Sequence, residues 1–274
     1  MTGVDDRITE YDLETPDSIQ VRFGIECLAS DENEATVTFS MPMNRFRNPV
    51  TGVPTIGPLA VLVDAAGGMV NHYRRPNGQW TVSSELSVEI SPDDTGDLDG
   101  PVIASARTLG STGATSLSIC TLTYRGTIIG GGTVRSFFIP ADGVLIKRPP
   151  ETLRRSAETT LSDLMALEVR PKADGQVPLG QLVDPNLNND IGIVHGGVAA
   201  AGLELAASAA INSPDGGLRT GSLRVNFLRP FFAGAQSRYV GAPLRVGRNT
   251  GVGDAQAIGD DGKVAITARV TAYR

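Results

Sequence analysis

Two long apolar runs, each opened by glycine, dominate the hydrophobic pattern of the chain. The first lies within residues 55–75 and the second within residues 195–213, and each contains one acidic residue, Asp64 and Glu204 respectively. The first run has no clean amphipathic stripe over residues 57–71, and a helix that is apolar on all sides is surrounded by protein. The length of both runs and their content of alanine and glycine, which strands disfavour, predict two buried helices.

Segments that are typical of β-strands follow each run at matching distances. Apolar residues alternate with polar ones in residues 80–90 and again in residues 220–230, as expected for strands with one buried face. Two later segments each contain two extended stretches around a glycine turn, a hairpin signal. These are residues 107–139, with the turn at Gly126, and residues 244–274, with the turn at Gly262. Residues 35–41 predict one more strand, and its counterpart within 165–184 has a weaker pattern.

These spacings predict an internal duplication. Half of the 274 residues is 137, Gly110 and Gly247 are 137 positions apart, and the two acids are 140 apart. Each repeat would contain one or more strands, a loop, one long helix and three or four antiparallel strands, which is an α+β arrangement. We expect a first repeat over 1–142, a linker over 143–164 and a second repeat over 165–274.

The composition of the chain argues against several classes of function. Hydrophobic residues make up 41% and charged residues 20%, so the chain can form a core, and 24 basic against 30 acidic residues give a net charge of −6. An acidic protein is a poor candidate for non-specific nucleic-acid binding. Two distant cysteines and two histidines 123 positions apart predict neither a disulfide framework nor a metal site. No apolar run reaches the roughly 18 residues of a membrane span, so we expect a cytoplasmic protein with no membrane or nucleic-acid partner.

The two acids are the chemical anomaly of the buried helices. A lone carboxylate in an apolar environment costs several kcal/mol unless it is paired or its pKa shifts. A helix N-terminus offers free N–H groups that can polarise a carbonyl. Asp64 follows Gly57 by seven residues, or ~10 Å of helix, so it cannot serve its own N-terminus. If the helices are antiparallel, each acid reaches the other helix's N-terminus, which predicts two sites built from both repeats.

The stretches NNDIGIVHGGVAAAGLELAASAA (188–210) and LRVNFLRP (223–230) resemble the hotdog-fold thioesterases, in particular the branch of the phenylacetyl-CoA and 4-hydroxybenzoyl-CoA thioesterases. The second half resembles them over most of its length, and the first half through the internal repeat. The resemblance implies a double hotdog, in which each repeat has a long central helix wrapped by a curved antiparallel sheet.

The resemblance also implies roles for residues of the second repeat. A His-Gly-Gly motif opens the central helix in that family, and His195, Gly196 and Gly197 match it. The resemblance implies that the amides of Gly196 and Gly197 would polarise the thioester carbonyl. His195 would shape the turn or bind near the carbonyl rather than act as the base. Asn189 matches a polar helper of that family, Glu204 matches its acid, and Ser208 matches a helper hydroxyl.

The first repeat departs from the motif. Asp64 matches the acid and Ser83 a serine on the next strand, with Thr220 as its counterpart, but Thr55-Ile56-Gly57 stands in place of His-Gly-Gly and Pro49 in place of the Asn. We define site A as Asn189, His195, Gly196 and Gly197 with Asp64 and Ser83. Site B is Thr55, Ile56 and Gly57 with Glu204 and Ser208. Site A keeps the whole motif, so we expect it to be the competent one and Glu204 to be a relic or a secondary site.

The expected function is hydrolysis of an acyl-CoA to the free acid and CoA, with Asp64 as nucleophile or as general base. A non-catalytic acyl-CoA or fatty-acyl binding protein is the alternative, and the residues of a hotdog hydratase are missing. CoA enters only as part of the substrate, and its phosphates would bind Arg245 and Arg248, followed by Arg229 and Arg224. Apolar lining candidates are Val61, Met69, Leu203 and Phe227, with nothing to indicate aromatic stacking. A homodimer is a further expectation.

Overall fold

A computed structural model describes residues 19–94, 98–140, 146, 148–171, 176–212 and 216–274 of the chain. The described part is an α+β structure in which one twelve-stranded antiparallel sheet surrounds two sixteen-residue helices. The predicted boundary at 142/143 lies outside the described residues, and the predicted domain limits stay a prediction.

The first half supplies six strands and two helices. In chain order these elements are α1 (Ile19–Phe23), β1 (Glu26–Asp31), β2 (Thr36–Pro42), α2 (Gly57–His72), β3 (Gln79–Ile90), β4 (Pro101–Leu109), β5 (Thr115–Tyr124) and β6 (Thr127–Pro140). The β5–β6 turn has positive φ angles at both Arg125 (50°) and Gly126 (81°). This pair of angles fits the two-residue hairpin that the sequence predicts there.

The second half repeats this order with shorter outer strands. Its elements are α3 (Leu161–Met165), β7 (Leu167–Val169), β8 (Leu179–Gln181), α4 (Gly196–Ile211), β9 (Arg219–Phe227), β10 (Arg238–Val246), β11 (Thr250–Ile258) and β12 (Val264–Tyr273). The weak pattern over 165–184 corresponds to β7 and β8, each only three residues long. The sequence did not predict α1, whose Ile19 and Phe23 are buried.

The strand order shows the duplication directly. It runs β1-β2-β4-β5-β6-β3-β9-β12-β11-β10-β8-β7, so each half uses its strands in the same sequence, counted outward from the centre. The halves join where β3 pairs antiparallel with β9, with Leu86 opposite Val225 and Val88 opposite Leu223. These four side chains are buried or nearly so, and the junction therefore extends the hydrophobic core across both repeats.

The two long helices lie against each other inside the sheet. Gly197, near the start of α4, sits beside Val61 in the middle of α2, and Glu204 in the middle of α4 sits beside Gly57 at the start of α2. Because the start of each helix lies beside the middle of the other, α2 and α4 are antiparallel, as the positions of the acids require. Pro58 occupies the first turn of α2, where it removes no intrahelical hydrogen bond. No helix in the described ranges is long and apolar enough to cross a membrane.

Candidate functional site

Asp64 lies at the N-terminus of the opposite helix. Its side chain is buried within α2, and its Oδ2 atom accepts a hydrogen bond of 2.6 Å from the backbone N–H of Gly197, the second residue of α4. Free N–H groups at a helix start and the positive end of the helix dipole favour a carboxylate there. The acid from the first repeat and the helix start from the second thus meet at one place.

Ser83 completes the hydrogen bonding of this carboxylate. It lies on β3, the strand that follows α2, and its Oγ donates to Asp64 Oδ1 at 2.9 Å. One carboxylate oxygen therefore binds a side-chain hydroxyl and the other a backbone amide. The two bonds fix the orientation of the carboxyl plane.

His195 is the N-cap residue of α4. Its Nδ1 accepts a 3.2 Å hydrogen bond from the Gly197 N–H and lies 3.3 Å from Asp64 Oδ2. The imidazole thus stabilises the turn into the helix and touches the acid at the same time. This geometry agrees with a turn-shaping role for the ring.

Gly196 leaves open the space in front of Asp64. A Cβ atom at Gly196 would lie 2.8 Å from Asp64 Oδ2 and 3.3 Å from Phe227 Cζ. Its own N–H belongs to the first helical turn, where no intrahelical carbonyl is available. The sequence-based expectation that both glycine amides face a carbonyl does not fit this geometry, because Asp64 holds the Gly197 N–H. Gly196, in contrast, lines the cavity beside Asp64.

Asn189 lies in the loop before α4 and lines the same space as Gly196. Its Oδ1 accepts hydrogen bonds from the backbone amides of Ile191 (3.2 Å) and Ile193 (3.1 Å). The side-chain carbonyl is therefore engaged in shaping the loop. The amide NH₂ is the part of this side chain that can donate to a ligand.

A cavity of about 350 Å³ opens beside Asp64. Its lining contains every member of site A except Gly197, whose N–H points at the carboxylate. The walls come from α2, β3, β6, the loop before α4, and the end of β9 with its following loop. Such a cavity, with an apolar wall and a few polar groups at one point, is typical of a small-molecule site.

Aromatic side chains line this cavity, which composition did not reveal. They are Trp80, Phe137, Phe227 and Phe231. Aromatic residues make up only 5% of the chain, but several of them gather here because β3, β6 and the loop after β9 converge. Of the apolar lining candidates, Met69 and Phe227 do line the cavity, whereas Val61 and Leu203 are fully buried in the core.

Glu204 forms the counterpart cluster, site B. It is fully buried and accepts hydrogen bonds from the hydroxyl groups of Thr55, through Oε2, and Thr220, through Oε1. Thr55 Oγ1 also accepts the Gly57 N–H at 3.0 Å, as His195 does for Gly197. Burial raises the pKa of Glu204, while the bonds from Thr220, Thr55 and Gly57 act in the opposite direction.

The carboxylate of site B is enclosed by protein, because Glu204 is fully buried and lines neither of the two cavities described. The second cavity, of about 300 Å³, is lined by residues of the loop before α2 and of the segment that leads into β9, among them Pro54 and Arg219. Ser208 is buried one turn after Glu204, but the hydroxyl groups that bind the carboxylate are those of Thr55 and Thr220. The expected helper role of Ser208 has no support in this geometry.

Of the four arginines expected to bind CoA, one lines the cavity and three do not. Arg229 lines the mouth of the cavity. Arg245 and Arg248 are exposed on the β10–β11 hairpin, where the neighbouring Gly251 packs on Ile211 at the last turn of α4, the end away from His195. They are therefore about one helix length, ~24 Å, from the site. Arg224 forms an ion pair of 2.9 Å with Glu89 across the β3–β9 junction.

Arg148 is a cavity residue that sequence reasoning missed. It is 7% exposed, its Nη1 donates to the carbonyl of Asn188, and its Nη2 lies 2.8 Å from Asp190 Oδ1. Because it comes from the segment between the repeats, no motif identified it. Within the described residues, no cluster of three or more His, Cys, Asp and Glu could hold a metal ion.

Comparison with known proteins agrees with this architecture. Residues 185–273 match the family model of the acyl-CoA thioesterase N-terminal domain. A TesB protein from Mycobacterium avium subsp. paratuberculosis is 14% identical, with a TM-score of 0.63 over 93% of this chain and 97% of that one. A putative thioesterase II from Thermobifida fusca is 11% identical, with a TM-score of 0.59 over 93% and 96%. No match was found among curated protein sequences.

At these identities the solved structures establish the fold, whereas the family model concerns the second repeat. The match begins at Pro185, before the loop of Asn189, and includes His195, Gly196 and Gly197. It does not distinguish the phenylacetyl-CoA and 4-hydroxybenzoyl-CoA branch from others. The chain therefore has the double hotdog fold of these solved structures, and its residues 185–273 match the acyl-CoA thioesterase N-terminal domain.

Proposed function

We propose that this protein is an acyl-CoA thioesterase whose working site is site A, built from both repeats. The observation that carries the proposal is the position of Asp64, a buried carboxylate held 2.6 Å from the N-terminal amide of α4 at the wall of an apolar cavity. An acyl thioester in that cavity would have its carbonyl carbon near the acid and its carbonyl oxygen near the Gly196 amide. These are the two groups that acyl transfer needs.

Asp64 can complete the reaction by either of two routes. As a nucleophile it attacks the acyl carbon and expels CoA thiolate, and water then cleaves the resulting anhydride. As a general base it takes a proton from the water that attacks the same carbon. Both routes consume one water and give the free acid and CoA, and Ser83 keeps the carboxylate oriented in both.

The test is release of CoA thiol from a panel of acyl-CoAs. We expect Asp64→Asn, which preserves size, to lower kcat by about 10²–10⁴. The matched control is Glu204→Gln, the equivalent change in the other helix, which should retain most of the activity because site B has no cavity at its acid. Circular dichroism and thermal unfolding would verify that both variants fold.

Two outcomes would contradict the proposal in different ways. An inactive Glu204→Gln beside an active Asp64→Asn would move the reaction to site B. Absence of thiol release by the wild-type protein from every acyl-CoA would exclude hydrolysis. In that case a ligand-induced rise in Tm without turnover would favour the alternative of a binding protein.

A further inference from the structure

The cavity has two chemically different sides as seen from Asp64. On one side lie the polar groups of Arg148, Asn189, Asp190 and Arg229. On the other side the cavity follows α2 away from the acid, and we call this part the α2 branch. It is lined along the helix by Ala65, Gly68, Met69 and His72, and opposite the helix by residues of β3 and β6 that are mostly apolar: Trp80, Thr81, Val82, Ser136, Phe137 and Ile139.

The helix residues of the α2 branch share one face. They stand one, four, five and eight positions after Asp64, a spacing that places them in a line along a helix. The branch ends at His72, whose ring meets Trp80 edge-on at 4.7 Å and whose Nδ1 lies 2.9 Å from Thr81 Oγ1. The residues of the α2 branch therefore form a mainly apolar wall that begins beside Asp64 and follows α2 to His72.

Gly68 lies in the middle of the α2 branch, and close packing does not explain its lack of a side chain. A Cβ atom at Gly68 would meet no atom within 4 Å, whereas at the adjacent Gly67 it would lie 2.7 Å from Ser118 Oγ and from Val134 Cγ2. Glycine inside a helix lowers its stability relative to alanine. Its presence at an uncrowded position points to a need for open space.

Comparison between the repeats supports this reading. Gly68 and Ser208 are 140 positions apart, as are Asp64 and Glu204, so they are equivalent positions. In the second repeat the side chain at this position is buried in the core, next to an acid without a cavity. In the first repeat the side chain is missing and the cavity is present.

We propose that the α2 branch holds the acyl chain of the substrate and that Gly68 determines how long this chain can be. This inference rests on the proposed thioesterase function and names its substrate class, a medium-chain aliphatic acyl thioester. The apolar chain lies along α2, and the phosphate-bearing part of CoA leaves past Arg148 and Arg229. A charged group would be poorly solvated in the branch, and an alkyl chain would cover its apolar wall.

The geometry gives an estimate of the chain length. Gly68 is four residues and His72 eight residues beyond Asp64, or roughly 6 and 12 Å along the helix. An extended alkyl chain advances about 1.3 Å per carbon, given C–C bonds near 1.5 Å. A chain of about five carbons therefore reaches Gly68, and one of about nine reaches His72.

The experiment compares wild type, Gly68→Leu and the control Gly68→Ala on butyryl-, hexanoyl-, octanoyl- and decanoyl-CoA. We expect the wild-type protein to prefer octanoyl- or decanoyl-CoA. Leucine should lower kcat/KM for decanoyl-CoA by about tenfold or more relative to butyryl-CoA, because the longer chain must pass the new side chain. Alanine adds one carbon to the open space and should therefore reduce the preference for decanoyl-CoA by less than leucine does.

Each result decides the proposal. An unchanged chain-length profile in Gly68→Leu would overturn it. Equal loss for all four substrates would also overturn it, because it would mean that the α2 branch holds the pantetheine arm common to all of them.

A binding measurement separates this proposal from the proposed function. Octanoate and decanoate should raise the Tm of the wild-type protein and of Gly68→Ala, with little effect on Gly68→Leu. A wild-type protein that binds these acids in this pattern but hydrolyses no acyl-CoA would contradict the thioesterase function alone. Fatty acids that stabilise wild type and Gly68→Leu equally would contradict the role of Gly68.

Discussion

Equivalent residues of the two repeats have similar partners and different surroundings. Asp64 accepts from Ser83 and Gly197, and Glu204 accepts from Thr220 and Thr55. Asp64 borders a cavity, whereas Glu204 is enclosed by protein. The two acids therefore differ in the residues around the carboxylate, and only Asp64 lines a cavity that the structure describes.

Ser83 is predicted to be a positioning residue for Asp64. Removal of its hydroxyl in Ser83→Ala deletes one of the two bonds that orient the carboxylate, which should lower kcat/KM by roughly 10- to 100-fold, since hydrogen bonds to charged groups contribute about 1.5–3 kcal/mol. KM should change less than kcat, because the acyl chain contacts are retained. Acyl-CoA hydrolysis at several substrate concentrations provides both constants.

The adjacent Ser84 is the matched control. Its Oγ donates to the carbonyl of Arg135, 3.2 Å away, instead of Asp64, so Ser84→Ala should retain activity within about twofold. A similar loss in both variants would assign the effect to the β3 strand as a whole.

The repeat spacing singled out the two acids, Asp64 and Glu204, whereas Ser83 and the His-Gly-Gly motif were named through the family resemblance. Sequence alone could not predict that Asp64 would occupy the Gly197 amide, since that depends on how closely two helices approach. Arg148 and Trp80 were missed for a related reason: they reach the cavity through the tertiary fold and belong to no motif. The position of Arg245 and Arg248 away from the cavity could not be foreseen, because strand sequence does not show which end of α4 a hairpin covers.

At the scale of elements, the contact between α2 and α4 explains the glycines of the motif. A Cβ atom at Gly197 would lie 2.6 Å from Val61 Cα and 3.0 Å from the carbonyl oxygen of Ala60. Glycine therefore permits the backbones to approach closely enough for the Gly197 amide to reach Asp64. The apolar runs predicted both helices, but the closeness of their contact depends on this packing.

Glu204, which lies at the N-terminus of α2, is predicted to make a pH-dependent contribution to the stability of the folded protein. Burial raises its pKa in the folded state above the ordinary value of 4.5, so the folded protein holds this proton more tightly than the unfolded chain does. The stabilisation that comes from this proton is complete at pH values below the pKa of Glu204 in the unfolded chain. It is lost as the pH rises through the pKa of Glu204 in the folded protein. Glu204→Gln has no such proton, so the Tm of wild type minus that of the variant should fall as pH increases above about 4.5.

Thermal unfolding of both proteins from acidic to neutral pH, at constant ionic strength, measures this difference. A difference that stays constant, or that grows in favour of wild type as pH rises, would mean that the hydrogen bonds from Thr55 and Thr220 outweigh burial. The measurement thus determines which of the two opposing effects is larger in the intact site.

For the whole molecule, the duplication joins two units in one continuous sheet. The β3–β9 junction brings the repeats together, and the antiparallel helices give each repeat one end of each site. Two identical subunits would have to form two identical sites. Two repeats in one chain can differ, and here they differ at Thr55 and His195, and at Gly68 and Ser208. One open site and one enclosed acid are the result.

This asymmetry predicts one ligand site in each 274-residue chain. Calorimetric titration with a non-hydrolysable acyl-CoA thioether should give one equivalent per chain. Asp64 lines a cavity, whereas Glu204 lines neither of the two cavities described. Glu204→Gln should leave this stoichiometry unchanged, whereas Gly68→Leu should weaken binding of a decanoyl analogue more than of a butyryl analogue. Two equivalents per chain would mean that site B opens to admit a ligand. A second equivalent that disappears in Glu204→Gln would assign that ligand to the Glu204 carboxylate.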